Sequence, residues 1–202
     1  KLISGSWSFE TPPEVPAEYQ HIDYTQPAEY GFADTERNKL ALRKLSYEMY
    51  LAKELPVFVY GTLRTGQGNY GIMEPAVKNV TPGKIYGIGI YGSNYGFPYA
   101  AEHEDPEVYT IGEVIDLSHD DEGYYARGRL DQLEGFNSDY PSDSHYERTI
   151  TTVETVDADG NINYQETWVY LARGHARKGL YEIDRIVNGD WVATRENNFR
   201  QR

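Results

Sequence analysis

The pattern of apolar and polar positions changes character along the chain. The first thirty or so residues have no apolar period, and Thr11-Pro12-Pro13-Glu14-Val15-Pro16 is proline-rich and acidic. That composition predicts an extended arm, on which Trp7 and Phe9 are apolar points able to dock. From Asp34 to Glu54, Leu42, Leu45, Met49 and Ala52 fall at helical spacing, with Leu40 and Tyr47 nearby. This predicts one amphipathic helix, capped by Asp34 and stopped ahead of Pro56, because the residue before a proline avoids the α region.

Beyond Pro56 strand patterns dominate. Val57-Phe58-Val59-Tyr60 is a short apolar β run stopped by Gly61. Further strands are predicted over Lys84 to Tyr91, Val108 to Leu117, Tyr146 to Val156 and Ile162 to Leu171. The last two are joined by the hairpin turn Asp157-Ala158-Asp159-Gly160-Asn161. A helix is expected through Tyr124 to Leu133, with Ser118 or Asp120 as its cap and Leu130 and Leu133 facing the core. The organisation expected is an arm and helix over residues 1–55, a folded domain over 56–192 and a polar tail over 193–202.

Composition narrows the functional classes. The chain has 202 residues, no cysteine and a formal net charge of −13. Without cysteine there is no disulfide, thiolate nucleophile or cysteine metal site, which fits a reducing, cytoplasmic setting. The acidity repels phosphate backbones and argues against nucleic acid as a partner. No run of eighteen apolar residues exists, so no transmembrane helix is expected, and the start lacks a signal-peptide pattern. The 19 tyrosines suit half-buried strands and pocket walls, since each carries apolar area and one polar handle.

Four motifs invite chemical readings that fail on inspection. Gly87-Ile88-Gly89-Ile90-Tyr91-Gly92 matches a dinucleotide fingerprint, but Ser93 to Pro98 follow where a helix must start. A glycine-rich strand whose backbone passes close to something else is the better reading. Gly61 to Gly68 opens like a phosphate loop, but Gln67 and Gly68 stand where lysine and a hydroxyl residue are required. The runs Glu102-His103-Glu104-Asp105 and His119-Asp120-Asp121-Glu122 lack metal-ligand spacing and read as solvated turns.

Two segments carry chemistry. In Val59-Tyr60-Gly61-Thr62-Leu63-Arg64 a buried strand enters a glycine turn. Such a turn gathers backbone N–H groups that can hold a carboxylate. In Leu130-Asp131-Gln132-Leu133-Glu134-Gly135 a helix ends at glycine with Glu134 beside apolar neighbours. Buried near the first turn, Glu134 becomes a general base with a raised pKa, whereas on an open surface it is a solvated charge. Tyr146-Glu147-Arg148 opens the next strand, where Tyr146 can reach the same pocket and Arg148 can pair with an acid.

In this order, and with Gly66-Gln67-Gly68-Asn69 and Gly189-Asp190-Trp191, these segments resemble the gamma-glutamylcyclotransferase-like family, in particular its gamma-glutamylamine cyclotransferase and avirulence-induced branch. The resemblance covers roughly residues 57–192. It implies an α+β fold, a compact mixed β-barrel with short helices. It implies an enzyme that cyclises a γ-glutamyl amide to 5-oxoproline and releases the amine, with a small γ-glutamyl amine or isopeptide as substrate. Glu134 would be the catalytic acid/base, Gly61, Thr62 and Leu63 would grip the substrate carboxylate, and Tyr60 and Tyr146 would line the pocket. No metal or organic cofactor is implied. The arm and helix at 1–55 lie outside the family domain and suggest a protein partner or self-association. The competing expectation is a catalytically silent binding or structural module that docks through that arm.

Overall fold

The structure is a computed structural model that describes residues 47–138 and 144–200, with side chains described to residue 196. The chain divides into two units, Lys1–Glu54 and Leu55–Arg202. In the first, residues 47–51 are helical, and the rings of Tyr47 and Tyr50 stack at 6.3 Å. The helix stops well before Pro56. Its expected cap at Asp34, the positions Leu40, Leu42 and Leu45, and the arm with Trp7 and Phe9 lie outside the described residues.

Among its described residues the second unit holds seven strands: β1 (Val57–Val59), β2 (Val77–Tyr86), β3 (Ile88–Tyr91), β4 (Tyr99–Glu102), β5 (Tyr109–Leu117), β6 (Tyr146–Val156) and β7 (Ile162–Ala172). Its helices are α1 (Asp121–Leu133), α2 (Gly174–Lys178) and α3 (Trp191–Arg200). Five strands close a barrel in the order β1-β5-β2-β6-β7, while β3 and β4 form a separate antiparallel pair. The barrel is mixed because β1 meets β7 in parallel, with Val57 opposite Trp168. Every other pairing is antiparallel.

The longest ladder joins β6 to β7, from Tyr146 opposite Ala172 to Val156 opposite Ile162. Asp157 organises its turn by accepting from the Asp159 and Asn161 N–H groups at 3.0 and 2.8 Å. Inside the barrel Phe58, Ile85, Val114, Val153 and Val169 are buried together. Two strand glycines make room for core side chains. A Cβ on Gly112 would stand 2.6 Å from the Phe58 ring, and one on Gly83 would stand 2.7 Å from Val153.

The apolar run from Lys84 to Tyr91, expected as one strand, is two. Gly87 adopts a φ of 70°, a left-handed conformation open to glycine and costly for other residues. The chain turns there, and β2 stays in the barrel while β3 pairs with β4. The backbone at Gly87 is held by Gly87 N–H donating to Val108 O and His103 N–H donating to Gly87 O. The close approach expected of this glycine-rich stretch occurs at Gly89, whose missing Cβ leaves space for the Tyr91 ring.

Helix α1 begins at its cap Asp120, whose carboxylate accepts from Gly123 N–H at 3.1 Å and from the Ser118 hydroxyl at 2.6 Å. Ser118 therefore supports the cap rather than providing it. Leu130 is fully buried, but Leu133 is 41% exposed, which corrects its expected place in the core. Leu133 instead lines the cavity described next. Among the described residues no helix is long and apolar enough to cross a membrane.

Candidate active site

A cavity of about 420 Å³ opens at one end of the barrel, within the range of small-molecule sites. Tyr60, Gly61, Thr62, Leu63, Glu134 and Tyr146 all line it. The end of β1, the end of α1 and the start of β6 thus deliver these six residues, from three separate stretches of sequence, to one hollow.

The Gly61–Leu63 turn is held from several sides. Arg64 N–H donates to Gly61 O at 3.1 Å. Asn69 donates twice to Thr62, from its backbone N–H to the carbonyl at 2.9 Å and from its side chain to Oγ1 at 3.0 Å. The Arg64 guanidinium lies 2.8 Å from Asp190 Oδ1, and that carboxylate also caps α3 by accepting from Ala193 N–H. Gly61 is needed for closeness, since a Cβ there would stand 2.8 Å from two ring carbons of Pro98. Among the described residues, the N–H groups of Gly61, Thr62 and Leu63 donate to no protein acceptor. Unspent donors on one turn form a concave place for an anion.

Glu134 is fixed by the way α1 ends. It is the C-cap residue, and Gly135 follows with a φ of 62°. Gly135 N–H donates to Gln132 O and Phe136 N–H donates to Asp131 O, the paired bonds of a Schellman motif. The preceding turn is anchored by the Asp131 carboxylate, which accepts from the Tyr170 hydroxyl at 2.6 Å and from Arg148 at 3.0 Å. Arg148 in turn lies over the Trp168 ring. The Glu134 carboxylate makes no hydrogen bond or ion pair among the described residues, and burial pushes its pKa up to about 7. Loss of hydration disfavours the charged form, and nothing nearby offsets that loss.

The two pocket tyrosines have committed protons. The Tyr60 hydroxyl donates to Tyr170 O at 2.6 Å, and the Tyr146 hydroxyl donates to Pro98 O at 3.2 Å. Burial above all holds both phenols above their ordinary range, reinforced at Tyr60 by Tyr146 and then Glu134, and at Tyr146 by Glu134 and then Tyr99. They stay neutral and line the cavity.

Several lining residues escaped the sequence reading. Tyr95, Phe97 and Pro98 belong to a loop read there only as a break in helix potential, and His145 was passed over beside Tyr146. Tyr170 sits inside a strand whose apolar pattern spoke only of packing. Pro98 is the one with a retrospective signal, a proline ahead of a short strand and opposite a turn glycine. Of the rejected readings, His103 pairs with Glu182 at 3.3 Å, Asp120 serves as a helix cap, and the described residues contain no cluster of three ligand-type side chains placed for a metal.

Residues 57–193 match the family model described as gamma-glutamyl cyclotransferase, AIG2-like. The chain belongs to that family. Membership brings a cyclotransferase-type function in general. Similar solved structures include an uncharacterized protein from Pyrococcus horikoshii, 20% identical over 72% of this chain and 97% of its own, with a TM-score of 0.46. An aig2-like protein from Mus musculus is 20% identical over 68% of this chain and 87% of its own, with a TM-score of 0.44. A protein from Arabidopsis thaliana is 19% identical over 73% and 78% of the two chains, with a TM-score of 0.46. The comparison with curated proteins finds no match. In the terms of the gamma-glutamyl cyclotransferase, AIG2-like family, the matched stretch contains both the glycine turn and Glu134.

Proposed function

We propose that the chain is an enzyme that cyclises γ-glutamyl amides to 5-oxoproline and releases the amine. The observation that carries this reading is a carboxyl group with no partner among the described residues, raised towards neutrality by burial, in one cavity with a turn whose N–H groups are unspent among those residues.

The chemistry is intramolecular. The substrate α-carboxylate rests on the N–H groups of Gly61, Thr62 and Leu63, which neutralise it without a charged side chain. The α-amine then points towards Glu134 and the hydroxyl oxygen of Tyr146. Glu134 takes a proton from the amine as its nitrogen attacks the γ-carbonyl carbon. A C–N bond forms, and the carbonyl electron pair moves to oxygen. When the oxyanion collapses, the bond to the departing nitrogen breaks, and Glu134 returns the proton to that nitrogen. The products are the lactam and a free amine, and no water is consumed. A group that accepts and then donates at physiological pH works best with a pKa close to it, which is where burial holds Glu134. Holding amine and carbonyl in reach replaces the entropy cost of a bimolecular step, on the order of 7–11 kcal/mol in the best intramolecular cases.

An open cavity joining Glu134 to the turn favours this reading over a silent binding module, in which the hollow would be filled by side chains. The test is 5-oxoproline release from a panel of γ-glutamyl amines, including γ-glutamyl-ε-lysine, by wild type and Glu134→Gln. Release by wild type that falls roughly 100-fold or more in the folded variant is expected. A folded wild type inactive on the whole panel favours the silent module instead.

A further inference from the structure

A second cavity, of about 630 Å³, adjoins the first, and Tyr95 and His145 line both. The boundary between them is made of aromatic rings. Tyr99 lines the second cavity and stacks on Tyr146 of the first with centroids 5.5 Å apart. Its hydroxyl lies 3.0 Å from His145 Nε2. Tyr95 is 76% exposed, so this wall can yield without disturbing the barrel.

A γ-glutamyl amide is a linear molecule with a carboxylate end, a reacting amide and an amine portion. With its carboxylate on the Gly61–Leu63 turn and its amide at Glu134, a short amine fits within the first cavity. A longer one has to leave it, and the Tyr95–His145 boundary leads into another hollow. The walls there mix hydrogen-bonding types: the Asn94 amide, the His175 imidazole and the Asp184 carboxylate, none of which bonds another side chain among the described residues. A purely aliphatic chain would displace water from these groups and give nothing back. A peptide-like chain offers both N–H and C=O groups along its length, and its flat amide units suit the exposed ring of Tyr95.

Resting on the cyclotransferase reading above, we propose that the second cavity is the amine-side subsite, and that the substrates are γ-glutamyl amides of extended, peptide-like amines. Specificity then lies in residues of α2 and the segment after it, away from Glu134.

The test compares kcat/KM for γ-glutamyl-triglycine and γ-glutamyl-ethylamide in the full chain. In wild type the triglycine amide should be preferred by about tenfold or more, and Leu180→Trp, which fills the second cavity, should cut that ratio by about tenfold. His175→Ala, at an exposed position, should lower the same ratio and keeps the test alive should the tryptophan variant fail to fold. A wild-type ratio near or below one, or a ratio that both variants leave unchanged, overturns the subsite. If neither amide releases 5-oxoproline, the cyclotransferase reading fails separately, and binding then decides. Amide resonances of Gly92–Asn94 and His175–Leu180 that shift on adding γ-glutamyl-triglycine support the subsite, and shifts confined to the first cavity or absent altogether overturn it.

Discussion

At the scale of the residue, Glu134 carries a cost that can be measured without substrate. Its carboxyl has an ordinary value of 4.5 and is raised to about 7 by burial. Between those values an unfolded chain gives up the proton while the folded chain keeps it. Stability therefore falls as pH rises through that window and stays lower above it, by up to about 3 kcal/mol. Glu134→Gln should accordingly be more stable than wild type at pH 8 and equal to it at pH 4, read from urea midpoints. If the mutant advantage is the same at both pH values, the Glu134 carboxyl is not raised in the folded chain. The same titration predicts that kcat/KM climbs with pH through an apparent pKa near 7, an acid limb that Glu134→Gln should lack. Glu134 was legible in the sequence because a helix-ending glycine and apolar neighbours mark it. Leu133, one residue earlier, was misplaced, because helical spacing says which side chains share a face but not that the last turn of α1 overhangs a hollow.

At the scale of the element, two short pieces set the site, the turn after β1 and the last turn of α1. Gly61→Ala places a methyl group against Pro98 and must shift either the turn or the loop. Substrate KM should rise at least about tenfold, from misplaced N–H donors, with the melting temperature less affected. An unchanged KM would remove the turn from substrate binding. Asp131→Ala takes the carboxylate away from the buried Arg148 and from Tyr170, leaving a positive charge without its counter-ion. A loss of up to about 3 kcal/mol in denaturant unfolding is expected. β6 and β7 were legible nearly to the residue, because polar and apolar positions alternate around an Asp-Gly turn. The division of Lys84–Tyr91 was not, since the run is apolar throughout and only the backbone at Gly87 breaks it. Nor was β4, whose Tyr-Ala-Ala-Glu carries too little β-branched character to signal a strand.

At the scale of the whole molecule, closure of the barrel is what brings residues 60–63, 134 and 146 together. No local pattern could announce that meeting, because it depends on β1 entering between β5 and β7. Phe58 fills the space that Gly112 leaves free, and Phe58→Ala should cost about 3–5 kcal/mol in unfolding free energy. A smaller loss would mean that the barrel collapses readily around the vacancy. The β6–β7 ladder has a practical consequence. Tyr146 stands at the cavity and Val156 at the far end of the same strand, ten residues on. At about 3.3 Å per residue the Asp157–Asn161 turn lies roughly 30 Å from the chemistry. That tip is exposed and is closed by its own Asp157 bonds, which makes it a natural handle. A fluorophore or surface tether attached at Asp159 would report on, or immobilise, a working molecule.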